Sequence, residues 1–147
     1  AVLALAATIR TTRREIAAED FFDGLYATVL EPGEIVTSIA FRVPSEASYA
    51  KMRNPASRYA LCAVFVARFP GSVRVAVTGA GNDGVFRWTE AEEALSANYA
   101  PAALEALQLD PAGMLFLPSR RFGRTLPGFA RAARSPPRAS LPSVEGY

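Results

Sequence analysis

A chain of 147 residues, half of them hydrophobic, is long enough for one modest domain with a core of its own. The formal charge of +2, the single cysteine and the absence of histidine exclude an internal disulfide framework and Ser-His or Cys-His nucleophile pairs. No apolar run approaches the roughly 18 residues that a membrane span needs. The apolar opening, Ala1 to Ala7, lacks the basic flank of a signal peptide and reads as a helix cut in its middle, running into a β-compatible stretch from Ala7 to Thr12.

Arg13-Arg14-Glu15-Ile16 leads into Ala17 to Tyr26, where early acids and paired aromatics predict a short helix ending in a turn. Glu31-Pro32-Gly33-Glu34 is a turn by its Pro-Gly step. Beyond it Ile35, Thr37, Ile39, Phe41 and Val43 alternate onto one face, the pattern of a half-buried strand. Ser48 to Met52 is a second, shorter strand, broken by Asn54-Pro55-Ala56-Ser57. Tyr59 to Phe69 is a nearly continuous apolar run, as in a central strand covered on both faces. Pro70-Gly71 turns it into Ser72 to Thr78, which predicts an antiparallel hairpin. A short strand follows at Val85-Phe86-Arg87. Thr89 and Glu92 then have the spacing of a capping box for a helix to about Ser96, and Pro101 opens another through Leu107.

Strands followed by helices, without alternation, predict an α+β fold: a small antiparallel sheet of three to four strands with helices on one side. Charge divides the chain. Residues 1–112 hold ten basic and thirteen acidic side chains, whereas residues 113–147 hold six arginines, one acid and five of the eleven prolines. That second composition, without a clean period, predicts an irregular, disordered Arg/Pro-rich tail.

Four groups carry chemistry on paper. Gly79-Ala80-Gly81-Asn82-Asp83-Gly84 lacks the spacing of a dinucleotide or phosphate loop and reads as a plain turn. The acids Glu19, Asp20 and Asp23, and Glu90, Glu92 and Glu93, sit at helix starts, where the helix dipole suffices to explain them. Cys62, within the most hydrophobic strand and without a basic neighbour, reads as a core residue. Lys51, the only lysine of the chain, lies between Tyr49 and the Ser57-Arg58-Tyr59 stretch. It is either a solvated strand-end cation or a compact donor for an anionic or carbonyl-rich ligand edge. The tail arginines have the charge for phosphate backbones, but no nucleic-acid module accompanies them, and no nucleic-acid partner is expected.

Several strings occur in an order that resembles the FAD-binding medium subunit of the aerobic carbon monoxide dehydrogenase and xanthine dehydrogenase family, the molybdenum hydroxylases. They are Ala18 to Thr28, Leu30 to Thr37, Tyr49-Ala50-Lys51, Asn54 to Tyr59, Val73 to Gly81 and Trp88 to Glu92, within roughly residues 1–114. The resemblance implies a role in relaying electrons from a molybdenum centre through [2Fe–2S] clusters to FAD and on to an acceptor. Its cofactors would be FAD in the full subunit, with molybdenum cofactor and [2Fe–2S] only in partners. Those partners would be a molybdenum-binding large subunit and an iron–sulfur small subunit, in the cytoplasm.

The resemblance also implies domains. Residues 1–12 would be a remnant of the FAD-binding domain, whose amino-terminal lobes this sequence lacks, and 13–112 the flavoprotein carboxy-terminal domain. Lys51 would lie near the flavin's pyrimidine edge with Tyr49 as a weaker contact, and the chain alone would be incompetent. The tail departs from the family. Joined across CGN arginine codons, Arg121 through Phe129 can read in a shifted frame as Phe-Arg-Ala-His-Leu-Ala-Gly-Val, a family-like closing helix, so residues 113–147 are expected to be frameshifted. A non-catalytic assembly module that docks the other subunits is the alternative function.

Overall fold

The computed structural model describes residues 1–24, 26–81 and 84–107. The Arg/Pro-rich tail of residues 113–147 therefore lies outside the described residues. The opening is a turn rather than a helix end. Leu5 N–H donates to the Ala1 carbonyl at 2.8 Å and Ala7 N–H to that of Val2 at 3.1 Å, and Ala6 at φ 45° stops further winding. Strand β1 (Thr8–Thr11) then pairs antiparallel on both sides, with β2 (Glu15–Ala17) and β3 (Val36–Ala40), in the order β2-β1-β3.

The helix expected over 17–26 is a single turn, α1 (Ala18–Phe21). Phe22 turns extended and bridges Thr28, and positive φ at Gly24 and Tyr26 carries the chain around. The two phenyl rings that promised a helix face instead pack edge to face at 5.3 Å. At four residues α1 is too short for an N-terminal dipole of consequence, and Glu19 has a different partner, described below.

The strand expected at 35–43 is shorter and its face is not the one expected. The register runs Ile9 opposite Ile39 and Arg10 opposite Ser38, then Thr11 opposite Val36. One extra residue on β3 makes a bulge, and a bulge swaps the faces beyond it. Val36 thereby joins the packed side while Ile35 is 65% exposed. Phe41 and Val43 run past the strand end and stay in solvent.

The larger sheet is antiparallel, β4 (Glu46–Arg53), β5 (Ala60–Phe69), β6 (Ser72–Gly81) and β7 (Gly84–Arg87), hydrogen-bonded in that order. The α+β class, the central place of β5 and the hairpin at Pro70-Gly71 follow the sequence pattern. Alternation sorts the side chains onto two faces. On one face Val64, Val66, Val73, Val75 and Val77 bury against Trp88, Ala91 and Leu95. Ala91 and Leu95 belong to α2 (Thr89–Ala97). Each such aliphatic burial is worth about 1.5–3 kcal/mol. Leu104, from a single 3-10 turn (Pro101–Leu104) where a longer helix was expected, and Leu107 pack at this edge.

The opposite face is lined with small residues. Ala67 and Ala76, with Phe69, receive Leu3, Ala4, Ala7, Ile9 and Ala18 from the opening turn and the small sheet. Alanines in the larger sheet allow a close approach of the two layers. The small sheet reaches only part of this face, and the uncovered end holds the candidate site.

Candidate functional site

Tyr49 and Lys51 lie two residues apart on β4, so both project from the face that the small sheet partly covers. Register identifies their neighbours. Lys51 stands opposite Ala63, which stands opposite Thr78, and Tyr49 stands opposite Phe65, which stands opposite Ala76. Ala63 is buried, whereas Lys51 and Thr78 on either side of it are exposed. The result is a row across the sheet in which a buried alanine separates an exposed ammonium from an exposed hydroxyl, two strand spacings or about 10 Å apart. Tyr49, 54% exposed, leans on Phe65 with ring centroids 6.3 Å apart.

Two backbone features shape this end. Met52 pairs with Cys62 but Arg53 with Ala60, so Leu61 is an extra residue in β5. Its carbonyl presses on β6 at Gly79, where a Cβ would come within 2.0 Å of the Leu61 oxygen and φ is +76°. Gly79 is therefore required by a close approach of two strands. Gly81 pairs with Gly84 between β6 and β7, while Asn82 and Asp83 of the glycine-rich stretch lie outside the described residues.

Beyond β4, the Asn54–Tyr59 turn is tied internally. Asn54 N–H donates to the Tyr59 carbonyl and Arg58 N–H to that of Asn54, while Asn54 Oδ1 accepts the Ala56 N–H at 2.9 Å. Arg58 sits at φ 62°, a strained value for a residue with a side chain. Every residue from Pro55 to Ala60 is exposed.

The acids are largely structural. Glu19 pairs with Arg74 and lies 3.7 Å from Arg87. Burial, the largest single influence, raises its pKa, but the Arg74 hydrogen bond, a backbone hydrogen bond and the charges of Arg74 and Arg87 together outweigh it and leave the pKa lowered. Arg74 also donates to the Leu3 carbonyl at 2.7 Å, tying the opening turn to β6. Glu92 does not close a capping box. It is buried, accepts the Val75 N–H at 2.9 Å and the Arg87 Nε–H at 2.9 Å, and leaves the helix without a side-chain cap. Asp20, Asp23, Glu90 and Glu93 remain exposed.

At the far side, Glu34 is buried and accepts from Thr11 Oγ1 at 2.7 Å, Arg14 Nε at 3.1 Å and Glu31 N–H at 2.9 Å. The Arg14 hydrogen bond, then the Glu31 N–H and the Thr11 hydroxyl, pull its pKa down to about 2. Sequence spacing hides most of both networks, since Val75–Glu92, Glu34–Arg14, Glu34–Thr11, Glu19–Arg74 and Arg74–Leu3 are 17, 20, 23, 55 and 71 residues apart, and only Arg87–Glu92 and Glu31–Glu34 are local. Cys62 is half-buried and burial pushes its thiol pKa up, which makes it a poor nucleophile. Among the described residues no cluster of histidine, cysteine or carboxylates fits a metal ion, and no helix is long and apolar enough to cross a membrane.

No family model matches the chain, and a search of curated proteins returns no match. Among solved structures, the chain is similar to one from the crystal structure of quinoline 2-oxidoreductase from Pseudomonas putida 86. The TM-score is 0.57 at 22% identity, over 76% of this chain and 46% of the other. The chain thus spans under half the length of its structural neighbour, and the two share a fold.

Proposed function

We propose that this chain supplies one wall of the flavin site in an FAD-carrying medium subunit of a molybdenum hydroxylase, resembling that of aerobic carbon monoxide dehydrogenase. The carrying observation is Lys51, exposed and free of any carboxylate among the described residues, on one sheet face with exposed Tyr49 and Thr78. An exposed ammonium suits a carbonyl-rich edge on which negative charge accumulates. FAD, when bound, would supply the step that takes electrons from the iron–sulfur side and passes them to an acceptor. Tyr49 would pack on the ring system and Lys51 would hold its polar edge. The likeness in fold to a chain of quinoline 2-oxidoreductase supports the family reading.

In this reading residues 1–12 end a FAD-binding domain, and 13–112 form the flavoprotein carboxy-terminal domain. β1 of the first is hydrogen-bonded to β3 of the second. The dinucleotide grip would come from amino-terminal lobes, because no phosphate-cradling loop occurs among the described residues. The partners are a molybdenum-binding large subunit and an iron–sulfur small subunit, in the cytoplasm, and the molybdenum subunit chooses the substrate. Residues 113–147 represent a shifted reading frame, which the codons of that stretch decide.

The test is Lys51→Met in the assembled enzyme. A shifted flavin potential or lower flavin occupancy supports the reading, and unchanged flavin properties sink it. A second reading, a non-catalytic module docking the other subunits, is favoured by the exposed Ile35, Ile39, Phe41 and Val43. It expects Lys51→Met to leave the flavin untouched.

A further inference from the structure

The basic residues of the described chain are not used alike. Arg10, Arg13, Arg14, Arg68, Arg74 and Arg87 each hold a carboxylate, and Arg42 stacks on the Phe69 ring at 4.7 Å. Among the described residues that leaves Lys51, Arg53 and Arg58, and all three lie on the β4–β5 hairpin. No acid occurs between Glu46 and Asp83 to neutralise them. Tyr59, 79% exposed, stands beside Arg58. The turn is tied by the Asn54 hydrogen bonds, and Arg58 holds a left-handed, strained backbone conformation in an exposed segment.

We infer that the hairpin tip, Arg53, Arg58 and Tyr59, is a docking element for an acidic patch on a partner protein. The tip is exposed throughout from Pro55 to Ala60, whereas small-molecule sites enclose most of their ligand's surface. Its ligand is therefore a macromolecule. The chain carries a net charge of only +2, a weak long-range field for a polyphosphate, whereas two arginines without carboxylate partners suit a local acidic patch. Arginine and tyrosine are also the residue types that dominate protein–protein contacts. Lys51 at the hairpin base is left to the flavin reading, and the docking site stands whether or not that reading holds.

The test is fluorescence anisotropy of a labelled poly-glutamate peptide titrated with the full chain at low salt. Saturable binding is expected, weakening with added salt. Arg53→Gln with Arg58→Asn should weaken it about tenfold. Tyr59→Ser should weaken it with charge unchanged, by about fivefold. Arg10→Gln with Arg13→Gln removes the same charge from elsewhere and should leave binding intact. Equal weakening in both double variants would reduce the effect to net charge and overturn the proposal. Tighter binding of an oligothymidylate of equal charge, lost in Arg53→Gln/Arg58→Asn, would overturn it in favour of a nucleic-acid site. Flavin titration of the same variants, in which Lys51 is intact, keeps failure here distinct from failure of the flavin reading.

Discussion

The carboxylate of Glu92 accepts the backbone N–H of Val75 at 2.9 Å, so a helix side chain completes the hydrogen bonding of a strand. β7 ends at Arg87, opposite Ala76, and leaves the buried Val75 N–H without a strand partner. Arg87 folds its guanidinium onto the same carboxylate. Glu92→Ala would strand a buried donor and a partly buried cation together, at a cost of about 3 kcal/mol. Glu92→Gln keeps an acceptor for Val75 and should lose less. Urea unfolding of both variants checks the order, and equal midpoints would show that the Val75 bond contributes nothing.

The same residue shows what the sequence hides. Thr89 and Glu92 have capping-box spacing, and local spacing cannot reveal that a strand will end one residue short nearby. Short-range patterns serve well where burial is one-sided. Val73, Val75 and Val77 alternate because one face meets α2, and the period is visible in the letters. Ile35 to Val43 alternate just as cleanly, but a bulge at β3 exchanges the faces, and bulges leave no mark in composition. At the candidate site, period two places Tyr49 and Lys51 on one face without any structure. Ala63 and Thr78 become their neighbours only through register between strands far apart in sequence.

Gly79 is the position where this site is most easily disturbed. A methyl group there would sit 2.0 Å from the Leu61 carbonyl oxygen, in a backbone conformation at φ +76° that side chains avoid. Gly79→Ala should destabilise by about 1–3 kcal/mol. Because Leu61 is the bulge that separates the Met52–Cys62 pairing from that of Arg53 with Ala60, two residues from Ala63, amide exchange at Ala63 and Thr78 should quicken more than at Val66 and Val75. Uniform quickening would mean that the close approach matters for stability but not for register.

Glu34 gives the fold an acid-sensitive corner. Its pKa falls from 4.5 to about 2 on folding, so its contribution is present in full above pH 4.5 and is lost as pH drops toward 2. Glu19, also lowered, acts in the same direction. Below that window the Glu31–Glu34 turn loses its anchor to Thr11 and Arg14. Urea midpoints of the natural chain and Glu34→Gln should differ at neutral pH and converge as pH approaches 2. A gap that stays constant across the window would assign the difference to packing of the amide rather than to the carboxylate charge.

The exposed strip is the last element with a measurable consequence. Val43 is 88% exposed and Phe41 49%, both beyond the end of β3, so neither contributes much to the core. Phe41→Ser with Val43→Ser should therefore change stability by less than about 0.5 kcal/mol per site. It should nevertheless lower self-association of the isolated chain, because apolar side chains that meet water in the monomer meet each other in aggregates. Sedimentation velocity at increasing concentration reads this directly. In the assembled enzyme the same variant separates the two functional readings. If subunit assembly weakens while flavin properties hold, the strip is a docking face and the hairpin end of the sheet is left free for the flavin. If assembly is unchanged, the assembly-module reading loses the observation that favours it.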